Sequence, residues 1–259
     1  MKRLLLIISL IIYSYEIGAI NPSRTYKANP NSFDLDYEEF LITTADGASI
    51  NVWHLPSTGL NTPVIISESD AGNMGDWIYL GMYLQAYGLD VWMYDYRGFG
   101  ASSEFEINHQ YLYYTEFSND LSAVVDYVEE STGKVPVLMG LSMGTIIIQE
   151  YLGRSKHPIK LVIYDGYVHN PSIWVNRLSH KGKKVLLPKG YEQWKDKKLL
   201  KALYIVANQD DYSFETDIPK WASKRNKIVV FESQHISSFF KYPKEYSEAV
   251  QLFVAEHER

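Results

Sequence analysis

"PVLMGLSMGTIIIQEY", residues Pro136 to Tyr151, sets one serine between two glycines, with an apolar run before it and a helix-like run after it. In a G-x-S-x-G pattern, a sharp strand-to-helix turn lifts the serine hydroxyl above the end of a sheet. Gly140 and Gly144 leave room for the strained backbone at that turn. The turn also puts Ser142 near a helix N-terminus, where backbone N–H groups and the helix dipole favour a developing negative charge. The pattern is short enough to arise by chance, so its surroundings decide what it means.

Outward from that turn the chain alternates. Upstream, "EEFLITTADGASINVWHL" reads as two strands joined at Asp46-Gly47, since an Asp-Gly pair between alternating apolar residues signals a hairpin. "TPVIISES" is a continuous apolar run suited to a strand buried on both faces. "WIYLGMYLQAYG" has helical spacing and stops at Gly88, and "LDVWMYDYRG" returns to strand character. A helix in "SNDLSAVVDYVEEST" precedes the serine turn. After the turn come strands in "IKLVIYDG", "KALYIVANQDD" and "KIVVFES", with helices in "IPKWASKR" and "KEYSEAVQLFVAE". This alternation predicts an α/β fold, a mostly parallel central sheet with helices on both faces. No internal repeat or low-complexity linker divides it, so residues 20–259 read as one domain. Asn21 to about Asn31 reads as polar and irregular. The basic stretch 171–198 breaks the rhythm and reads equally as a small cap over a cleft or an ordinary crossover helix with a solvated loop.

Composition narrows the function. The 259 residues carry a net charge of −6, which argues against a nucleic-acid binder. The 21 tyrosines and 6 tryptophans suit core and cleft walls. With no cysteine, the chain has no disulfide, thiolate metal site or lipid-bearing cysteine. At the start, Lys2 and Arg3 precede "LLLIISLII", and Ala19 closes a more polar stretch. Residues 1–19 therefore read as a signal peptide for export, periplasmic or secreted. Left uncleaved, they would serve as an N-terminal membrane anchor.

In a doubly wound sheet, ligands sit beyond the carboxyl ends of the strands, so residues just after each strand carry the chemistry. Ser142 is one of them. A serine hydroxyl needs a base, and His235 follows "KIVVFES" and precedes the last helix. His54 lies within an early strand; His109, His157, His180 and His257 read as exposed. His169, after "LVIYDG", competes for a place in the cleft. The acid that would orient the imidazole is Asp210 or Asp211, both in "ANQDDYS".

Ser, Asp, His is the chain order of one fold class, and the sequence resembles an α/β-hydrolase fold serine hydrolase over nearly all of the chain after residue 19, with a likeness to lysophospholipase-like and esterase-like members. "GLSMG", "DYRGFGAS" (Asp95 to Ser102) and the pair "YIVANQDDYS" and "ESQHISSFF" carry the likeness. The resemblance implies a nucleophile at Ser142, a base at His235 and an acid at Asp211, because the usual G-x-x-D would place Asn208 at the glycine. It also implies an oxyanion hole from the backbone of Met143 and of Asp70 or Ala71, a shaping role for Arg97, and no metal or organic cofactor. The loop that reads H-G-N-A-G-N in such proteins is "ESDAGN" here, Glu68 to Asn73. Glu68-Ser69 in place of His-Gly is expected to restrict the backbone and to set a carboxylate against the oxyanion.

Three functions follow from different weightings of these features. The first is a serine esterase, lipase or thioesterase acting on a small acyl ester or lipid. A second is a non-catalytic binding protein whose oxyanion loop has drifted. The third is a membrane-associated lipase, resting on residues 1–19 and on Tyr191 and Trp194 for peripheral membrane contact.

Overall fold

The computed structural model describes residues 19–57, 59–188, 200–223 and 226–257. Residues 1–18, with the apolar run read as a signal or anchor, lie outside the described residues, as do Tyr191 and Trp194.

In chain order the elements are β1 (Asn21–Pro22), β2 (Glu38–Thr43), β3 (Ser49–Leu55), β4 (Pro63–Ser67), β5 (Ala71–Gly72), α1 (Ile78–Ala86), β6 (Asp90–Tyr94), α2 (Tyr114–Thr132), β7 (Val137–Leu141), α3 (Met143–Arg154), β8 (Leu161–Asp165), α4 (Pro171–His180), β9 (Lys201–Ala207), α5 (Lys220–Ser223), β10 (Lys227–Phe231), α6 (Ser238–Lys241) and α7 (Pro243–His257). Eight strands form one sheet in the order β10-β9-β8-β7-β4-β6-β3-β2. The predicted hairpin is the antiparallel pair β2–β3, turning at Asp46-Gly47, and β3 is also antiparallel to β6. The remaining pairs are parallel. This is the α/β-hydrolase fold that the sequence predicts.

Every residue of β4, β6, β7 and β8 is buried, as apolar runs sandwiched between helix layers must be. Side chains alternate between two cores. Ile65 and Leu138 join the core with α2 and α3, while Val64, Ile66, Val137 and Met139 join the one with α1 and α7. The parallel strands therefore end together, and their carboxyl ends carry Ser142, Gly166, Asp210 and the 68–73 loop.

The stretch after Asn21 is not free. β1 pairs in parallel with β5, Asn21 facing Ala71 and Pro22 facing Gly72. Ala19 and Ile20 are buried in the core. A two-residue strand has no periodicity to betray it, which is why the sequence reads as irregular there. Arg97 bridges Asp120 and Asp46 and ties α2 to the β2–β3 turn, a structural placement. Within the basic stretch 171–198, residues 171–180 form α4; residues 189–198 lie outside the described residues. No helix among the described residues is long and apolar enough to cross a membrane.

Candidate active site

Ser142 sits between β7 and α3 with φ +50° and ψ −108°, a backbone conformation that a side chain with a Cβ rarely adopts. Its neighbours hold it there. The Ser142 N–H donates to the Asp165 carbonyl at 2.8 Å, and Thr145 donates to the Ser142 carbonyl through its N–H and its hydroxyl, at 2.9 and 2.7 Å. Both glycines of the motif are sterically required. A Cβ on Gly144 would lie 2.0 Å from the Ser67 carbonyl oxygen, and one on Gly140 would lie 2.7 Å from the Thr145 nitrogen. Helix α3 thus starts in contact with the end of β4, which is why the turn is so tight.

His235 enters from the loop between β10 and α6. Its Nε2 lies 2.7 Å from the Ser142 hydroxyl, and its Nδ1 lies 2.6 Å from Asp210 Oδ2. Gly166 makes room for the imidazole, since a Cβ there would fall 2.7 Å from His235 Cε1. The Tyr212 ring stands edge-on to the imidazole, with centroids 5.3 Å apart.

Of the two aspartates, the structure brings Asp210 to His235 and not the expected Asp211. Asp211 is exposed and pairs with Lys181 at 2.7 Å, whereas Asp210 is buried against His235. The turn after β9 is one residue tighter than a G-x-x-D count assumes. The Asp210 N–H closes back on the Ala207 carbonyl, which swings the first aspartate inward. Tyr212 and Ser213 N–H groups donate to Asp210 Oδ1, and the Ser213 hydroxyl donates to Oδ2 at 2.7 Å. Burial opposes ionisation of Asp210. The hydrogen bond from His235 and these three donors more than offset it, holding the carboxyl below its ordinary range. Ser213 had no motif to announce it; a hydroxyl two residues after the acid pair was the only signal.

The competing histidines have other partners. His169 hydrogen-bonds the Tyr167 hydroxyl, His54 bridges Glu38 and Asp90, and His109 meets the Ile20 carbonyl. A second buried carboxyl, Asp165, ends β8. Its Oδ2 accepts from the Tyr246 hydroxyl, Oδ1 has no partner among the described residues, and burial pushes its pKa up to about 7.

The 68–73 loop follows β4, whose end packs against the start of α3. Met143, the first residue of α3, is buried directly after the serine. The Asn21 N–H donates to the Asp70 carbonyl at 2.7 Å, and the Ser23 N–H donates to the Gly72 carbonyl at 2.7 Å. Among the described residues no peptide bond is cis, so with the Asp70 carbonyl turned to β1, the Ala71 N–H on the same peptide plane faces away from β1. The Ala71 N–H therefore lies outside the β1–β5 ladder. Burial raises the pKa of the Asp70 carboxyl.

Glu68 does not face water. It is fully buried, neither carboxyl oxygen has a hydrogen-bond partner among the described residues, and its backbone carbonyl accepts from the Tyr96 hydroxyl. Burial, reinforced by the nearby Asp95 and Asp76, pushes its pKa well above the carboxylate range. This favours the neutral acid over the carboxylate and so weakens the expected repulsion of an oxyanion. Among the described residues no group of three or more His, Asp or Glu is arranged to hold a metal ion.

The sequence profile of the family described as serine aminopeptidase, S33, matches residues 70–228, more than half of the chain. Over 97 residues the chain is 28% identical to the uncharacterized membrane protein YNL320W of Saccharomyces cerevisiae, covering 35% of this chain and 34% of that protein. Over 155 residues it is 30% identical to the uncharacterized protein YfhR of Salmonella typhi, covering 54% of this chain and 49% of that protein. The match thus spans half or less of the length of these curated relatives. Among solved structures, the esterase Pf2001 of Pyrococcus furiosus superposes with a TM-score of 0.72 at 17% identity, over 91% of this chain and 99% of that one.

Proposed function

The chain belongs to the serine aminopeptidase S33 family of α/β hydrolases, and we propose that it is a serine hydrolase that cleaves carboxylic ester or thioester bonds through an acyl-enzyme. The unbroken line from the Ser142 hydroxyl through His235 to Asp210, at 2.7 and 2.6 Å, carries this reading. In it, Ser142 Oγ attacks the acyl carbon while His235 Nε2 takes the hydroxyl proton, and Asp210 holds the imidazolium. The Met143 and Ala71 N–H groups receive the oxyanion. The carbon–oxygen or carbon–sulfur bond to the leaving group breaks as His235 returns the proton to it. Water then attacks the acyl-serine by the same relay, releasing the acid and restoring Ser142. Every step uses side chains and backbone of this chain, and no metal or organic cofactor is invoked.

Esters are favoured over peptides because the neighbouring Pf2001 structure is that of an esterase, whereas the family description alone points to an aminopeptidase. Hydrolysis of p-nitrophenyl esters, set beside aminoacyl p-nitroanilides, tests the choice. Turnover of the esters, abolished in Ser142→Ala and His235→Ala, is the expected outcome. Inactivity on every ester, with Ser142 unlabelled by a fluorophosphonate, would sink the reading in favour of a binding scaffold.

Export or membrane anchoring through residues 1–19 belongs to the same proposal, supported by the charged start and the apolar run. Cell fractionation tests it, and a chain recovered wholly in the cytosol at full length would refute it.

A further inference from the structure

A cavity of about 160 Å³ shares a wall residue, Tyr212, with the surroundings of His235. One wall is Tyr212, whose ring also stands against the imidazole, and another is Tyr167, one residue beyond the glycine that makes room for His235. Trp174 and Ile173 of α4 also line it, and exposed Thr216 contributes to its rim. Tyr167 and Trp174 are buried, so these walls are set by core packing.

Its charged members are already spent on each other. Arg177 forms a paired contact with Asp217 at 2.5 and 2.8 Å and also donates to the Tyr212 carbonyl. Asn170 accepts from the Ser172 N–H as the cap of α4, and His169 is bonded to Tyr167. A cavity with aromatic walls and internally neutralised charge selects an uncharged group. Size sets the rest, because about 150 Å³ suffices for a benzene ring, while drug-sized ligands need roughly 300 Å³ or more.

We propose that this cavity is the leaving-group subsite of the hydrolase, and that it takes a single uncharged ring-sized alcohol, such as a benzyl group. The assignment to the leaving group follows from the proton's path. His235 must hand its proton to the departing oxygen, so that oxygen lies on the imidazole side of Ser142, the side that Tyr212 joins to the cavity. The inference rests on the serine hydrolase reading and names its substrate class.

The test compares benzyl acetate with ethyl acetate, two esters of one acyl group and unactivated primary alcohols, in the wild type and in Ile173→Trp and Thr216→Trp. Ile173 is half exposed and Thr216 is exposed, so added bulk enters from the rim and spares the core. We expect the wild type to prefer benzyl acetate in kcat/KM by about tenfold or more, the scale on which an apolar pocket discriminates. In each tryptophan variant kcat/KM for benzyl acetate should fall by more than that for ethyl acetate, so that the preference is lost. Equal handling of both esters by the wild type, or variants that leave the preference intact or depress both esters alike, would overturn the assignment. Fluorophosphonate labelling of Ser142 separates the two levels. Labelling without a benzyl preference refutes the subsite alone, and absence of labelling refutes the hydrolase reading and the subsite with it.

Discussion

Two acidic side chains flank the nucleophile, and their fates differ. On the relay side, Asp210 is buried but accepts from two backbone N–H groups, the Ser213 hydroxyl and His235, and is held ionised. On the oxyanion side, Glu68 is still more deeply buried, has no partner for either carboxyl oxygen among the described residues, and is pushed toward its neutral form. Burial alone raises a carboxyl pKa; hydrogen bonds and a cationic partner decide whether that rise survives. The comparison shows why two carboxyls at the ends of strands of one sheet can do opposite things. In the proposed mechanism, one stabilises an imidazolium, and the other must stay out of the way of an oxyanion.

The sharpest way to break the contrast is to remove the charge on the relay side. Asp210→Asn should lower kcat by about 10⁴-fold, because the amide no longer holds the imidazole tautomer or its positive charge. Asp211→Asn, at the exposed position paired with Lys181, should leave ester turnover within a factor of two or so of wild type. If the two variants exchange behaviours, the assignment of the acid is wrong. Steady-state kinetics on a p-nitrophenyl ester decides it.

A smaller effect is expected where the oxyanion loop is braced. The buried Asn73 side chain donates to the Ser23 and Thr25 carbonyls and accepts from the Gly75 N–H, so it fastens the loop to the segment around β1. Asn73→Ala should lower kcat by about ten- to a hundredfold, less than outright loss of an oxyanion donor. It should leave KM and the pH profile of the relay unchanged, since Asp210 and His235 are untouched. A shifted pH profile would show that the two sides are not separable.

How much of this was legible beforehand follows the same division. The strand and helix order, the serine turn and His235 could be read because each rests on local periodicity or on a motif that one tight turn demands. The choice between Asp210 and Asp211 could not, because adjacent residues after a strand differ only in which way a three-residue turn swings them. That swing is fixed by Asp210 N–H closing on Ala207. The bracing of the loop by β1 was hidden for a different reason. It joins Asn21 to Ala71 across fifty positions through backbone hydrogen bonds, which leave no side-chain pattern. Glu68 itself was visible as a departure from H-G-N-A-G-N, but its charge state depends on the absence of partners, a property of packing alone.

That charge state yields the finest prediction. In the folded chain the Glu68 pKa lies well above the ordinary 4.5, so between those two values the native state holds a proton that the unfolded state has released. Stability contributed by this group is therefore complete below the unfolded pKa and falls as pH rises toward the folded one, by about 1.4 kcal/mol per pH unit. Glutamine has the same shape and no proton to lose. Glu68→Gln should match the wild type in chemical denaturation at pH 4, then become the more stable protein as pH rises to 8. Its kcat at pH 7 should be unchanged, because a neutral acid and an amide oppose an oxyanion equally little. If Glu68 were instead ionised in the native chain, the variant would raise kcat, and its stability relative to wild type would not climb with pH across that window. Parallel stability curves together with a faster variant would mean that the loop works against a charge, and the contrast with Asp210 would collapse.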